Sequence, residues 1–166
     1  MDAFLLDTTV LSIYLDPTHH LNAEKSRALE ALPADAPRYV SAVALAELTF
    51  GADLAAALGK GDVPTLREKI REARRYAVLD ITHHTAAAYA ELKSKLAKRY
   101  LSKPLRRDRP KYLEDWIDKA TGKALGVDEN DLWMCAQAKE RDLILVTADH
   151  MRRMSDADSD VRLLVI

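Results

Sequence analysis

Short, nearly continuous apolar runs alternate along this chain with longer stretches in which apolar residues recur at helical spacing. That is the pattern a parallel sheet with helical crossovers produces. Ala3 to Ile13 opens as a strand, Phe4-Leu5-Leu6, and runs into a turn or short helix. Leu21 to Leu32 has leucines and alanines at helical spacing, closed by Pro33 and Pro37. Arg38-Tyr39-Val40 reads as a second strand, after which Ser41 is suited to cap a helix from about Ala42 to Leu58, ended by Gly59 and Gly61. Pro64 starts a helix reaching about Tyr76, and Ala77 to Ile81 is a third strand. Thr82 caps a helix from His83 to about Arg99. Asp128 or Asn130 caps another that ends near Arg141, Leu143 to Thr147 is a fourth strand, and Val161 to Ile166 a fifth. Strands alternating with helices predict the α/β class with a mostly parallel sheet.

Two stretches break this rhythm. Residues 100–127, with Pro104, Pro110, Gly122 and Gly126, read as an elaboration on the core, and a helix is predicted there between Lys111 and Ala120. The polar run Ser155 to Asp160 reads as an exposed loop. There is no internal repeat and no low-complexity tract.

Composition narrows the picture modestly. A chain of 166 residues suits one domain, 1–166, because domains commonly run to roughly 100–200 residues. It is 48% hydrophobic and 31% charged, and no apolar run approaches the roughly 20 residues needed to cross a bilayer. The N-terminal stretch carries acids on both sides of its apolar part, unlike a signal peptide, so the expectation is a cytoplasmic protein. Cys135 is the only cysteine, which excludes an intrachain disulfide and any cysteine-based zinc site; its apolar surroundings predict a buried thiol. Trp116 and Trp133 read as packing residues, Trp133 as one that can line the core beside a site.

Net charge is −1, yet Lys93, Lys95, Lys98, Arg99, Lys103, Arg106, Arg107, Arg109 and Lys111 face only one acid, Asp108, between residues 93 and 111. A stripe of this kind is either a solvated helix face or the footprint of approaching phosphates.

Four acids stand at the edges of apolar segments. Asp7 ends Phe4-Leu5-Leu6, Glu47 interrupts Val43-Ala44-Leu45-Ala46, Asp131 precedes Leu132 to Ala138, and Asp149 follows Leu143 to Val146. Asp7 falls at the C-terminal end of a strand, the edge of an open α/β sheet where ligands bind. If the four converge they form a cage of oxygen ligands, in which mutual repulsion raises at least one pKa unless a cation lies between them. Each has a simpler reading. Asp7, Asp131 and Asp149 suit helix or turn caps, and Glu47 suits an ion pair with an arginine, since a buried carboxylate without compensation is costly.

With the acids placed on these elements, the chain resembles the PIN-domain nucleases, and among them the VapC-type toxins of toxin–antitoxin pairs. The resemblance rests on Leu5-Leu6-Asp7-Thr8-Thr9-Val10-Leu11-Ser12, on Ser41 through Ala46-Glu47-Leu48 to Gly51, on Asn130-Asp131-Leu132-Trp133 with Ala136 and Ala138, and on Leu145-Val146-Thr147-Ala148-Asp149. It implies a three-layer α/β/α fold with a sheet of about four to five strands. It further implies a metal-dependent endoribonuclease that hydrolyses RNA phosphodiesters with a metal-activated water. Asp7 and Asp131 would hold Mg²⁺ or Mn²⁺ most directly, with Glu47 and Asp149 completing the cluster, and Thr8 and Thr147 would supply hydroxyls that orient carboxylates or water. Lys98, Arg99, Arg106, Arg107 and Arg109 would grip RNA, with Tyr100 or Tyr112 stacking on an unpaired base. The implied partners are a VapB-like antitoxin, which would reach the carboxylates with Arg or Lys and fill a groove between the N-terminal helices, and a second copy in a homodimer. Two features depart from the family's pattern. The segment before Asn130 is longer than in the compact toxins, and Asp128 and Glu129 add acids beside Asp131, with Asp128 one helical turn away.

Other functions fit less well. A haloacid-dehalogenase-like phosphatase needs a second Asp two residues after the first, where this chain has Thr9. A catalytically silent PIN-like module for RNA binding or assembly has no use for all four acids. No glycine-rich phosphate loop is present. The histidines, His19, His20, His83, His84 and His150, include adjacent pairs, which leave a helix in different directions and rarely ligate one ion.

Overall fold

The computed structural model describes residues 2–149 and 151–166. Its sheet is five-stranded and parallel, in the order β3-β2-β1-β4-β5. β1 (Phe4–Leu6) is central: Leu5 pairs with Tyr39 of β2 (Arg38–Ser41) on one side and with Leu145 of β4 (Ile144–Thr147) on the other. β3 (Ala77–Leu79) and β5 (Arg162–Val165) form the edges. Burial follows position. Phe4, Leu5 and Leu6 are all buried, as a central strand covered on both faces must be, whereas Ala77 and Val78 on β3 are exposed.

Helices cover the sheet to give the three-layer α/β/α arrangement, with ends close to those the sequence predicts. α1 (Thr8–Tyr14) follows β1 directly, and α2 is Asn22–Glu30. α3 (Ala42–Leu58) begins at Ser41, whose hydroxyl accepts from the Val43 N–H, and stops at Gly59, where φ of 60° needs a residue without a side chain. α4 (Val63–Ala73) has proline in its first turn. Thr82 and Thr85 form a reciprocal cap at the start of α5 (His83–Tyr100). Asp128 rather than Asn130 caps α7 (Glu129–Glu140). α4 packs on α3 and α7 on α5.

Two expectations fail, and tertiary contacts explain both. The helix predicted over 111–120 does not form. The segment instead contains α6 (Lys103–Arg107), one 3-10 turn at Leu113–Asp115, and a chain reversal around Gly122 in which Ile117 bridges Ala124 and the Leu125 N–H donates to the Trp116 carbonyl at 2.6 Å. Leu113, Trp116, Ile117 and Ala120 have helical spacing, but Leu113 and Trp116 are drawn into the core with Leu101 and Leu125, and the Trp116 indole donates to the Pro110 carbonyl. Burying a tryptophan outweighs a local helical preference. Likewise 155–160 is not an exposed loop. α8 (Arg152–Ala157) takes up its first half, and Asp158 is buried between the ammonium groups of Lys95 at 2.9 Å and Lys139 at 2.6 Å.

Topology already positions a site. From β1 the chain moves outward through β2 and β3, then crosses to the opposite side of β1 for β4 and β5. The strand order reverses between β1 and β4, the place where open α/β sheets bind ligands beyond the strands' carboxyl ends. No helix among the described residues is long and apolar enough to cross a membrane.

Candidate active site

Asp7 is the first residue beyond β1 and is 2% exposed. It does cap α1, as its simpler reading has it: Oδ1 accepts from the backbone N–H of Thr9 at 2.5 Å and of Val10 at 3.1 Å. Capping uses one oxygen only. Oδ2 is buried with no hydrogen-bond partner among the described residues, and such an atom needs a reason to exist. Burial raises the Asp7 pKa above the ordinary carboxylate value; the nearby Thr147 hydroxyl and the two N–H groups lower it, and the charge of Asp149 raises it again.

Glu47 lies on the second turn of α3, half-buried. Among the described residues no ion pair with an arginine holds it. Its Oε2 accepts from the Thr8 hydroxyl and its Oε1 from the Asn130 amide at 2.8 Å, so neutral donors on α1 and α7 fix both carboxylate oxygens.

Asp131 occupies the first turn of α7. That helix leads into β4 and therefore runs opposite to it, which brings its N-terminus to the carboxyl edge of the sheet. Asp131 is not the cap, since its own N–H donates to Asp128 at 2.7 Å. Its pKa is pushed up to about 7, first by burial and then by the charges of Asp128, Asp7, Asp149 and Glu47 in decreasing order. All the predicted acids thus act on one carboxyl, and Asp128 acts on it as well. Asp149, beyond β4, is exposed; its N–H donates at 3.0 Å to the hydroxyl of Thr147, which is fully buried. Asp149 is not a helix cap either, because α8 begins after Met151.

The convergence is electrostatic rather than a closed cage. Among the described residues no three His, Cys, Asp or Glu side chains are grouped closely enough to hold an ion as they stand. In chemistry the donor set fits a hard divalent cation: every donor is a carboxylate oxygen, Asp7 Oδ2 lacks a partner among the described residues, and burial together with the accumulated negative charge holds the Asp131 pKa at about 7. His83 and His84 pack ring to ring on the exposed start of α5, and His150 lies outside the described residues. Cys135 is fully buried, and burial lifts its thiol far above the usual range, which keeps it protonated and inert.

Two cavities flank α7. An apolar one of about 440 Å³ is lined by Val43, Ala46, Phe50, Ile81 and Trp133, with Glu47 and Asn130 at its side. On the other side a groove of about 700 Å³ runs between α5 and the 103–116 segment. Of the predicted RNA contacts, Lys98, Arg106, Arg107 and Arg109 line this groove. Arg99 does not; its guanidinium sits 5.7 Å from the Tyr100 ring centre, and Arg153 lies 5.0 Å from the same ring, so Tyr100 is occupied. Tyr112 is exposed, with Lys111 over its ring.

Sequence reasoning missed two features. Asn130 entered only as part of a motif or as a cap, whereas its amide holds Glu47; its place immediately before Asp131 was the available signal. The second is Glu129, which accepts from the Tyr89 hydroxyl and pairs with Lys93 while Trp133 stacks on Tyr89 at 4.0 Å. Tyr89 and Lys93 share one helix face at i, i+4 spacing, but nothing in the sequence links either to position 129, because only the packing of α5 on α7 brings them together.

Similarity to known proteins agrees with this geometry. No curated protein sequence matches the chain. Among solved structures, it is similar over 98% of its length, and 98% of the other chain, to a VapBC2 complex of Rickettsia felis bound to promoter DNA, with a TM-score of 0.66 at 17% identity. A DNA-bound VapBC of Salmonella typhimurium gives 0.62 at 20% identity over 99% of this chain and 98% of that one. VapBC-5 of Mycobacterium tuberculosis, a toxin–antitoxin system, gives 0.61 at 21% over the whole of both chains. Identities this low speak to the fold. The family model of the PIN domain matches residues 4–158, a span that runs from β1 through α8 and contains every acid described above, and the chain accordingly belongs to the PIN-domain family.

Proposed function

We propose that this chain is the toxin of a VapBC-type pair, a Mg²⁺- or Mn²⁺-dependent endoribonuclease acting in the cytoplasm. The observation that carries this reading is the placement of Asp7, Glu47, Asp131 and Asp149 within electrostatic reach of one another at the point where strand order reverses, with Asp131 raised to about 7 first by burial and then by the surrounding carboxylates. These four would hold the ion, which supplies positive charge to neutralise the cluster and Lewis acidity toward water and a phosphodiester when bound.

The chain's own residues prepare the site. The Thr9 and Val10 N–H groups fix one oxygen of Asp7, and the other, without a partner among the described residues, would be open to the ion. Thr8 and Asn130 hold the Glu47 carboxylate in one orientation. The buried Thr147 hydroxyl accepts the Asp149 N–H and so sets the bend that carries Asp149 past β4. Outer contacts of this kind typically govern ligand geometry. With its acidic edge uncompensated, the protein would meet RNA through the neighbouring cations Lys98, Arg106, Arg107 and Arg109.

The antitoxin would place apolar side chains in the cavity beside Glu47, against Phe50, which is 68% exposed, and a basic side chain on the carboxylates. The similar structures are of VapBC toxin–antitoxin systems, which supports a partner of this type. A homodimer is part of the same reading. The competing reading, a silent PIN module that binds RNA or assembles without cleaving, draws on the absence of a preformed ion cage among the described residues.

Purified wild-type protein and Asp7→Asn, incubated with total cellular RNA in Mg²⁺, Mn²⁺ or EDTA, separate the two. Discrete fragments that need the metal and Asp7 support the nuclease. Intact RNA in every condition, with protein verified as folded and free of antitoxin, sinks it in favour of the silent module.

A further inference from the structure

Glu129 and Trp133 stand four residues apart on α7 and so share one face of that helix. Both meet a single residue of α5. Tyr89 lays its ring on the Trp133 indole, with ring centres 4.0 Å apart and planes 17° from parallel, and its hydroxyl donates to the Glu129 carboxylate. Lys93, one turn further along α5, donates to the Tyr89 oxygen at 2.6 Å and pairs with the same carboxylate. The Lys93 and Glu129 side chains are 22% and 27% exposed, and a pair withdrawn this far from water gains little net stability, because desolvation offsets most of the attraction. What it supplies is a fixed geometry.

Holding a helix at two points on one face stops it turning about its axis. Asn130 and Asp131 follow Glu129 at about 100° per residue, so the rotation of this turn decides where both point. Asn130 reaches across to α3, where its amide holds Glu47, and Asp131 belongs to the acidic edge. At a helix radius of about 5–6 Å with side chains included, a turn of about 10° displaces a carboxylate by about 1 Å. A misplacement of that size can cost about 100-fold in rate. The caps do not supply this control. Asp128 and Glu114 accept from the N–H groups of Asp131 and Glu129, which point along the axis and leave its rotation open.

We propose that Tyr89 is a positioning residue for the acidic edge: by holding Trp133 and Glu129 it sets the rotation of the first turn of α7, and with it the place of Asp131 and the grip of Asn130 on Glu47. Its effect on a bound metal rests on the nuclease reading. Its effect on Asn130 does not.

The test compares wild type with Tyr89→Leu, with Tyr89→Phe, which keeps the ring on Trp133 and gives up only the hydroxyl, and with Leu96→Ala, which opens a cavity in the core on the same helix. Proton NMR without metal reads the Asn130 side-chain amide, identified by its loss in Asn130→Ala. Its proton should lie downfield in wild type, where a carboxylate accepts it, and move to the position of a solvated amide in Tyr89→Leu. Mn²⁺ uptake, followed by electron paramagnetic resonance without RNA, should weaken by roughly 10–100-fold in the same variant. Tyr89→Phe should fall between wild type and Tyr89→Leu in both readouts, and Leu96→Ala should lower the melting temperature while changing neither. An Asn130 proton that keeps its place in Tyr89→Leu overturns the proposal. So does Mn²⁺ bound as tightly by Tyr89→Leu as by wild type, or an equal change in Leu96→Ala, which would make the effect a general softening of the fold. If the proton moves as expected while wild type itself takes up no Mn²⁺, the positioning role stands and the metal reading of the site falls.

Discussion

The acidic edge and the basic groove both reach the first turn of α7, where Asp131 belongs to one and Glu129 holds Lys93 and Tyr89 of the other, yet they are built by different means. At the edge, Asp7 and Asp149 follow strands of the central sheet while Glu47 and Asp131 lie in the first two turns of α3 and α7, and the switch in strand order brings these ends toward one another. At the groove, the cations belong to one contiguous segment, but what makes them a surface is the anchoring of that segment by Leu113, Trp116 and Leu125. The edge is a consequence of topology and carries electrostatic stress, with Asp7 and Asp131 both raised. The groove is a consequence of packing and carries positive charge that, apart from Lys93, has no ion pair among the described residues. Charge of one sign held together by the framework marks a place where the framework serves something other than its own stability.

The two regions should therefore respond differently to mutation. Trp116→Ala should cost about 3–5 kcal/mol in denaturant unfolding, the usual range for emptying a fully buried tryptophan site, and it should loosen the groove wall while the sheet and the carboxylates keep their places. An equal loss of order at both regions, read by amide exchange, would show that they fold as one unit and would undo the contrast. Asp7→Asn should reduce RNA cleavage by more than about 100-fold, beyond what loss of an outer contact costs. Its melting temperature should hold or rise, because the amide oxygen can keep the cap while the repelling charge is gone. A drop in melting temperature alongside the lost activity would make Asp7 chiefly structural.

Removing a contact that only orients the site should do less. Asn130→Ala leaves one Glu47 oxygen unheld and should slow cleavage by roughly 10–100-fold, with little change in stability because Asn130 is exposed. Full activity in that variant would separate Glu47 from the reaction. The smallest effect is on pH dependence. The Asp131 carboxyl, ordinarily near 3.8, is held to about 7 in the fold. Between those values the unfolded chain has released its proton and the folded chain has not, so stability falls as pH rises from about 4 to about 7 and is flat beyond. In EDTA the wild type should lose more melting temperature between about pH 5 and about pH 8 than Asp131→Asn does; equal losses would mean that Asp131 titrates as an ordinary surface acid.

Much of the fold was legible because local rules and tertiary demands agree. The run Phe4-Leu5-Leu6 must be buried on both faces, Ser41 and Thr82 offer hydroxyls where helices need acceptors, and Gly59 takes the left-handed turn. Where they conflict, the sequence misleads. The apolar spacing of 113–120 is helical, yet Trp116 gains more from the core than a helix could return, and Asp158 looks solvated in a polar run although Lys95 and Lys139 bury it.

The candidate site divides along the same line. Apolar runs bordered by acids, taken in order, determined by themselves that the chain alternates strands and helices and that Asp7, Glu47, Asp131 and Asp149 stand at the edges of apolar segments. Only the tertiary structure decided that those ends share one edge, that Asn130 rather than an arginine holds Glu47, and that Lys98, Arg106, Arg107 and Arg109 face one groove while Arg99 turns to Tyr100. Periodicity and caps are written in neighbours a few residues apart. A carboxylate's partner and the direction of a flexible cation depend on groups distant in sequence, which close packing alone brings within reach.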